Sequence, residues 1–157
     1  MFKTEDFNKK IIEEKKFISL IKPGSRIFIS SGPGEPAQAA KMITSSEKLL
    51  GYDLEIIQVV GTGDYFPDQS SSNRNYRYKT FRSGETAVEQ PSVGKKDYYP
   101  SNLLEIPYIF ATQTIEIDIA VITTSPPDKR GFMNLGAAID TADTVIKNAA
   151  VVIAEVN

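Results

Sequence analysis

The chain has 157 residues, with 18 Lys plus Arg against 20 Asp plus Glu for a formal charge of −2, and it contains no Cys, His or Trp. Without thiol or imidazole there is no Cys or His nucleophile or base, no Ser-His-Asp triad, no disulfide, no His- or Cys-ligated zinc and no haem on an axial His. Basic and acidic residues are interspersed, so nothing in the charge argues for nucleic acid or an anionic membrane as the main partner.

At 41% hydrophobic and 24% charged residues the composition suits one globular domain. The apolar runs are strand-sized, as at Ile56–Val60 and Ala149–Ala154, well below the ~18 residues of a membrane helix. The opening MFKTEDFNKK is too charged for a signal peptide, which predicts a soluble, cytoplasmic protein.

In chain order, Phe7, Ile11, Ile18 and Ile21 mark one helical stripe, broken at Glu14. Lys22-Pro23-Gly24-Ser25 is turn chemistry, with Pro fixing φ and Gly supplying φ > 0. A strand at Arg26–Ser30 then runs into Ser31-Gly32-Pro33-Gly34-Glu35-Pro36. A helix follows, with Ala39, Ile43 and Leu50 at helical spacing and Pro36 at its first position. Leu54–Val60 is apolar at nearly every residue, the signature of a strand covered on both faces of a parallel sheet. It ends at Gly61-Thr62-Gly63.

Asp64 to Asn75 reads as a surface loop, and Tyr76–Phe81 alternates as a strand at a sheet edge. Asn102 with Glu105 predicts a capped helix over Leu103–Phe110, distorted or restarted by Pro107. Ile117–Thr123 is another apolar strand, closed by Ser125-Pro126-Pro127-Asp128. Ala142, Val145, Ile146 and Ala149 mark a helix capped by Asp140 or Thr141, and Val151–Val156 a final buried strand.

Alternating apolar strands and helices predict an α/β fold, an open, mostly parallel sheet with helices on both faces. Ligands of such sheets bind at the carboxyl ends of the strands. Those ends here carry Gly32–Pro36, Gly61–Asp64 and Ser125–Asp128. A final strand with no closing element predicts that residues 1–157 are one domain of a longer protein.

Gly32-Pro33-Gly34-Glu35-Pro36-Ala37 satisfies G-x-G-x-x-G/A between a strand and a helix. Glycines let backbone approach a ligand, and helix N-terminal N–H groups stabilise phosphate, carboxylate or oxyanion. Dinucleotide (NAD-type) binding is one reading of this Gly32–Gly34 loop, and a purely structural turn is another. Against the first, Asp53 and Glu55 lie at the wrong end of the second strand for a ribose hydroxyl, and Pro33 and Pro36 remove two amides. Glu35 also reads as an acid that complements the helix dipole, and Ser125–Asp128 as a rigid strand exit capped by Asp128. Tyr76, Tyr78 and Phe81 read as core or edge-strand packing.

The chain also resembles the N-terminal domain of the acetyl-CoA hydrolase/transferase family, which includes acetate and 4-hydroxybutyrate CoA-transferases. The resemblance rests on the order and spacing of Ile21-Lys22-Pro23-Gly24-Ser25-Arg26-Ile27, Ser31-Gly32-Pro33-Gly34-Glu35-Pro36, Asp97-Tyr98-Tyr99-Pro100 with Glu105-Ile106-Pro107, and Asp118-Ile119-Ala120-Val121-Ile122. Ser125-Pro126-Pro127-Asp128 with Gly131, and the closing Val152-Ile153-Ala154-Glu155-Val156-Asn157, complete it. The segment 82–96 departs from the family pattern, with Glu85 and Thr86 before Ala87-Val88 and a lengthened Glu89–Val93.

The resemblance implies a CoA-transferase fold of two similar α/β domains, of which this is the first. It implies transfer of CoA between an acyl-CoA thioester and a small carboxylate such as acetate, or hydrolysis by water, through a glutamate in the second domain. Such chemistry needs neither His nor Cys, because the nucleophile is a carboxylate and the charge develops on thioester oxygen. No catalytic residue is then expected in this chain, and the chain alone should be inactive. The expected substrate-lining residues are Ser31, Gly32, Gly34 and Glu35, bordered by Gly61, Gly63 and Ser125. No metal and no permanently bound cofactor are implied, coenzyme A thioester being a substrate. The expected partners are the protein's own C-terminal domain and, through an exposed domain-interface surface, a second copy in a homo-oligomer.

Overall fold

In a computed structural model, the structure describes residues 4–60, 76–82, 96–136, 139 and 141–157. Gly61, Gly63, the 64–75 loop and most of the divergent 82–96 segment lie outside the described residues. The elements are α1 (Thr4–Asn8), α2 (Glu14–Leu20), β1 (Arg26–Ile29), α3 (Ala37–Ser45), β2 (Leu54–Val60), β3 (Tyr76–Arg82) and β4 (Lys96–Tyr98). After them come α4 (Ile106–Ala111), β5 (Ile119–Thr124), α5 (Ala142–Asn148) and β6 (Val151–Val156). No described helix is long and apolar enough to cross a membrane.

The described strands form one parallel sheet in the order β4-β3-β2-β1-β5-β6. The chain builds outward from β1 to β4, then returns to the other side of β1 to lay down β5 and β6. The direction of winding therefore reverses between β1 and β5, the place where a crevice opens at the carboxyl ends of an open α/β sheet.

Strand pleating sends alternate residues to opposite faces, and each face has its own core. On one, Ile27, Ile29, Leu54, Ile56 and Val121 pack under Phe17 and Ile18 of α2 and Ala40 and Ile43 of α3. On the other, Phe28, Ile57, Val59 and Ala120 pack under Ile106 and Phe110 of α4 and Val145 of α5. Phe110 meets both Phe28 and Phe81 edge to face at 5.7 Å between ring centroids, the favoured aromatic geometry. Helices thus cover both faces, as expected.

The amino ends of β1 and β5 are clamped. Asp118 accepts hydrogen bonds from the Arg26 backbone N–H at 2.7 Å, from Nε at 3.1 Å and from Nη2 at 2.9 Å. The guanidinium holds the Asp118 carboxyl below its ordinary range, while Asp118 and then Glu116 raise Arg26.

Several element boundaries differ from the sequence reading. The N-terminal stripe is two helices separated at residues 9–13, where Lys9, Lys10 and Glu13 are polar and Ile11 and Ile12 are exposed rather than buried in the core. Helix α3 ends at Ser45, and a single 3₁₀ turn at Glu47–Leu49 carries the chain on toward Leu50. Pro36 precedes the first helical residue, and its carbonyl accepts from Ala40 N–H at 2.9 Å. Strand β3 is internal rather than an edge, since β4 pairs with its outer side. Helix α4 starts at Ile106, with Pro107 in its first turn, where a missing N–H is harmless. Strand β6 is an edge with alternate residues exposed rather than a fully buried strand. Its flank borders an apolar groove of about 520 Å³ lined by Phe7, Ile11, Phe17, Met42, Val152 and Val156 among others.

Candidate functional site at the β1–β5 switch point

The loop leaving β1 needs glycine at its first turn. Gly32 has φ +61°, in the left-handed region that disfavours a Cβ, and the 3₁₀ turn Gly32–Gly34 closes with Glu35 N–H donating to Gly32 C=O at 3.0 Å.

Three anchors fix this loop, all to residues distant in sequence. The Ser31 Oγ accepts from the backbone N–H of Val59 at 3.0 Å and of Val60 at 3.2 Å, tying the loop to the end of β2. The Glu35 carboxylate accepts from Gln58 Nε2 at 2.9 Å, and Gln58 Oε1 accepts from the Tyr78 hydroxyl at 2.7 Å. The Glu155 carboxylate, from β6, accepts from Ala39 N–H at 2.8 Å. Ala39 is the third residue of α3, so this bond caps the helix N-terminus with a carboxylate from across the sheet. Burial, with Glu35's charge added, pushes the Tyr78 phenol well above its ordinary value, so it stays a hydrogen-bond donor at neutral pH.

The exit of β5 is built differently. Ser125 N–H donates to Asn134 C=O at 2.8 Å, and Asn134 N–H donates to Ser125 Oγ at 3.0 Å. Asp128 Oδ1 accepts from the N–H groups of Arg130 at 2.8 Å and Phe132 at 2.9 Å. Those amides, Phe132's first, hold the Asp128 carboxyl below its ordinary range. Asp128 is therefore the cap of a rigid strand exit.

Strands β1 and β5 pair with Ile29 opposite Val121, and Ser30 N–H continues the ladder to Val121 C=O at 3.0 Å. Ser31, Gly32, Gly34 and Glu35 thus leave the sheet beside β5, which ends at Thr124 and is followed by Ser125. Between them, the Thr123 and Thr124 Oγ1 atoms are buried with no hydrogen-bond partner among the described residues. Buried polar groups are normally paired. Consecutive strand residues face opposite sides of the sheet, so the end of β5 carries one unpaired hydroxyl on each face, each a donor that water or an oxygen-bearing ligand on its own side would satisfy.

The geometry weighs against the dinucleotide reading of the loop. Glu55 is paired with Lys79 at 2.9 Å at the amino end of β2, away from any ribose at the carboxyl end. A pyrophosphate at the α3 N-terminus would meet the Glu155 carboxylate already bonded there.

Gln58, Tyr78 and Glu155 are the residues that sequence reasoning passed over. The one available signal was a glutamine within the apolar run Leu54–Val60. Tyr76, Tyr78 and Phe81, grouped as packing, divide: Phe81 is in the aromatic core, while Tyr78 serves the polar chain to Glu35.

The fold and the crevice define the class: a parallel α/β domain that gathers carboxylates, hydroxyls and backbone amides at a switch point. The chain belongs to the acetyl-CoA hydrolase/transferase family, whose N-terminal domain model matches residues 1–157. It is 27% identical over 154 residues to a 4-hydroxybutyrate coenzyme A transferase of Clostridium kluyveri, covering 98% of this chain and 35% of that protein. It is 31% identical over 141 residues to a succinyl-CoA:acetate/propanoyl-CoA:succinate CoA transferase of Fasciola hepatica, covering 87% of this chain and 28% of that one. The fold superposes on RipA from Yersinia pestis with TM-score 0.78 and 23% identity, over 96% of this chain and 37% of RipA. A 4-hydroxybutyrate CoA-transferase from Porphyromonas gingivalis gives TM-score 0.70 at 18% identity, over 98% of this chain and 35% of that one. The chain thus spans about a third of the length of the curated relatives it matches.

Proposed function

We propose that this chain is the first domain of a two-domain CoA-transferase or acyl-CoA hydrolase. In this reading it lines the site where CoA passes between an acyl-CoA thioester and a small carboxylate or water. The nucleophile is a glutamate of a second domain. Its carboxylate attacks the thioester carbonyl, expelling CoA thiolate and forming an acyl-glutamyl anhydride. The thiolate then attacks the glutamyl carbonyl, releasing the acyl group as a carboxylate and leaving a glutamyl-CoA thioester. An incoming carboxylate reverses these steps to give a new acyl-CoA, whereas water hydrolyses the thioester. Each step needs charge stabilised on a carbonyl oxygen by fixed donors, and no thiol or imidazole of the protein.

The observation that carries the reading is the switch-point crevice of a family member, with the glycine loop pinned beside the end of β5, where each face of the sheet holds one unpaired buried threonine hydroxyl. Glu35 is engaged by Gln58 at 2.9 Å and is not assigned the nucleophile's role.

The test uses the protein from the complete reading frame that contains this sequence. Borohydride reduces a glutamyl thioester but not a free carboxylate, so it should inactivate the enzyme only after acyl-CoA is added. Inactivation independent of thioester, or a reading frame without a glutamate-bearing second domain, overturns the proposal. Residues 1–157 expressed alone should show no CoA exchange.

A further inference from the structure

Gln58 is only 1% exposed, yet it sits on the same face as Ile56 within a strand where a Leu or Met would pack without polar cost. Burying a primary amide is unfavourable unless its donors and acceptor are met. Here both ends are met in a fixed direction: Tyr78 O–H donates to Gln58 Oε1 at 2.7 Å, and Gln58 Nε2 donates to Glu35 Oε1 at 2.9 Å. The hydroxyl can only donate to the amide oxygen, and the carboxylate can only accept from the amide nitrogen, so the orientation of Gln58 is determined. The β2–β3 register makes Ile56 the partner of Tyr78 and Gln58 the partner of Thr80, so the tyrosine reaches diagonally from β3 to the amide on neighbouring β2. Glu35 is the residue that closes the Gly32–Gly34 turn.

We infer that Tyr78 and Gln58 are positioning residues that act through Glu35 to set the backbone of the Gly32–Gly34 turn at the mouth of the crevice. The Ser31 anchor fixes where the loop leaves β1, and the Tyr78–Gln58–Glu35 chain fixes where it enters α3. The turn between them is thereby presented to substrate in one arrangement, which is preorganisation of the site rather than contact with the reacting atoms. Because Tyr78 bears on the turn through Gln58 and Glu35, the part of its effect that reaches the turn should vanish once Glu35 is no longer there to be held.

This inference rests on the CoA-transfer reading above. Its test is a double-mutant cycle in the enzyme from the complete reading frame, with wild type, Tyr78→Phe, Glu35→Ala and the double variant compared per folded molecule. Tyr78→Phe should lower kcat/KM for CoA transfer about tenfold in the wild-type background, and less than twofold once Glu35→Ala is present. A purely structural tyrosine would lower the melting temperature and leave kcat/KM per folded molecule unchanged in both backgrounds. Should Glu35→Ala fail to fold, Gln58→Met removes both bonds at similar volume and takes its place in the cycle. An active wild type with equal Tyr78→Phe losses in both backgrounds, or with none, overturns the inference alone. A wild type that exchanges no CoA overturns the functional reading and the inference with it.

Discussion

At the carboxyl end of β1 the chain leaves the sheet through a loop held by strands distant in sequence, whereas at the adjacent end of β5 it leaves through a turn bonded to itself. Ser31, Glu35 and Ala39 are tied to Val59 and Val60, Gln58 and Glu155. Ser125 and Asp128 are tied to Asn134, Arg130 and Phe132, all within nine positions. The first geometry exists only when β2, β3 and β6 are in place. The second is a local turn that forms with little help from the sheet. One crevice thus has a tertiary wall and a local wall, and damage should spread from the first and stay confined in the second.

The largest effect is expected at the tertiary wall. Ser31→Ala removes the acceptor shared by two backbone amides, one of them on Val59, which is 2% exposed. Leaving buried donors unpaired predicts a loss of about 2 kcal/mol, read as a lower urea midpoint with an unchanged m-value. An unchanged midpoint would mean that water replaces the hydroxyl and that the loop is not fixed by this anchor.

A smaller effect is expected at the opposite, amino end of the same two strands. Arg26 and Asp118 are 34% and 40% exposed at the side chain, so solvent screening reduces their pairing and Asp118→Asn should cost about 1 kcal/mol at neutral pH. Because Arg26 lowers the folded pKa of Asp118, this contribution is complete above the ordinary carboxylate value of 3.8. It is lost as pH falls through the folded value. The stability curves of wild type and Asp118→Asn should therefore converge in acid. Parallel curves down to the lowest pH would remove the ion pair from the account.

The same contrast explains what was legible in the sequence. Strand β2 was read with its bounds intact, because an apolar run between Asp53 and Gly61 has one solution in a parallel sheet. Local chemistry was legible too: the Gly24 turn has its positive φ of 76°, and Asp128 caps its own turn as its position after two prolines implied. What depends on pairing order was not. The internal place of β3 follows from β4, a strand of three residues in a stretch without clear periodicity. The three anchors of the glycine loop join residues 23 to 116 positions apart, which no window along the chain can see. Glu155 was read only as part of a buried final strand and proved to be the cap of a helix preceding it by over a hundred residues.

The smallest effect should come from the local wall, and its localisation is the point of the measurement. Asp128→Ala removes the acceptor of the Arg130 and Phe132 amides in an exposed turn, so the melting temperature should move by only about 1 °C. Hydrogen exchange should nevertheless accelerate at Arg130 and Phe132, because those two amides lose the Asp128 acceptor that holds them and local openings need not involve the rest of the sheet. Exchange at Val59 and Val60, held by Ser31 on the other side of the crevice, should stay at its wild-type rate. Acid below the ordinary carboxylate value of 3.8 should act in the same direction as the substitution, since Asp128, held ionised by these amides, loses its charge only as pH falls through its lowered folded value. If Val59 and Val60 also speed up in Asp128→Ala, the two walls are mechanically joined. Substrate engaging the β5 exit would then be felt by the glycine loop through the protein itself.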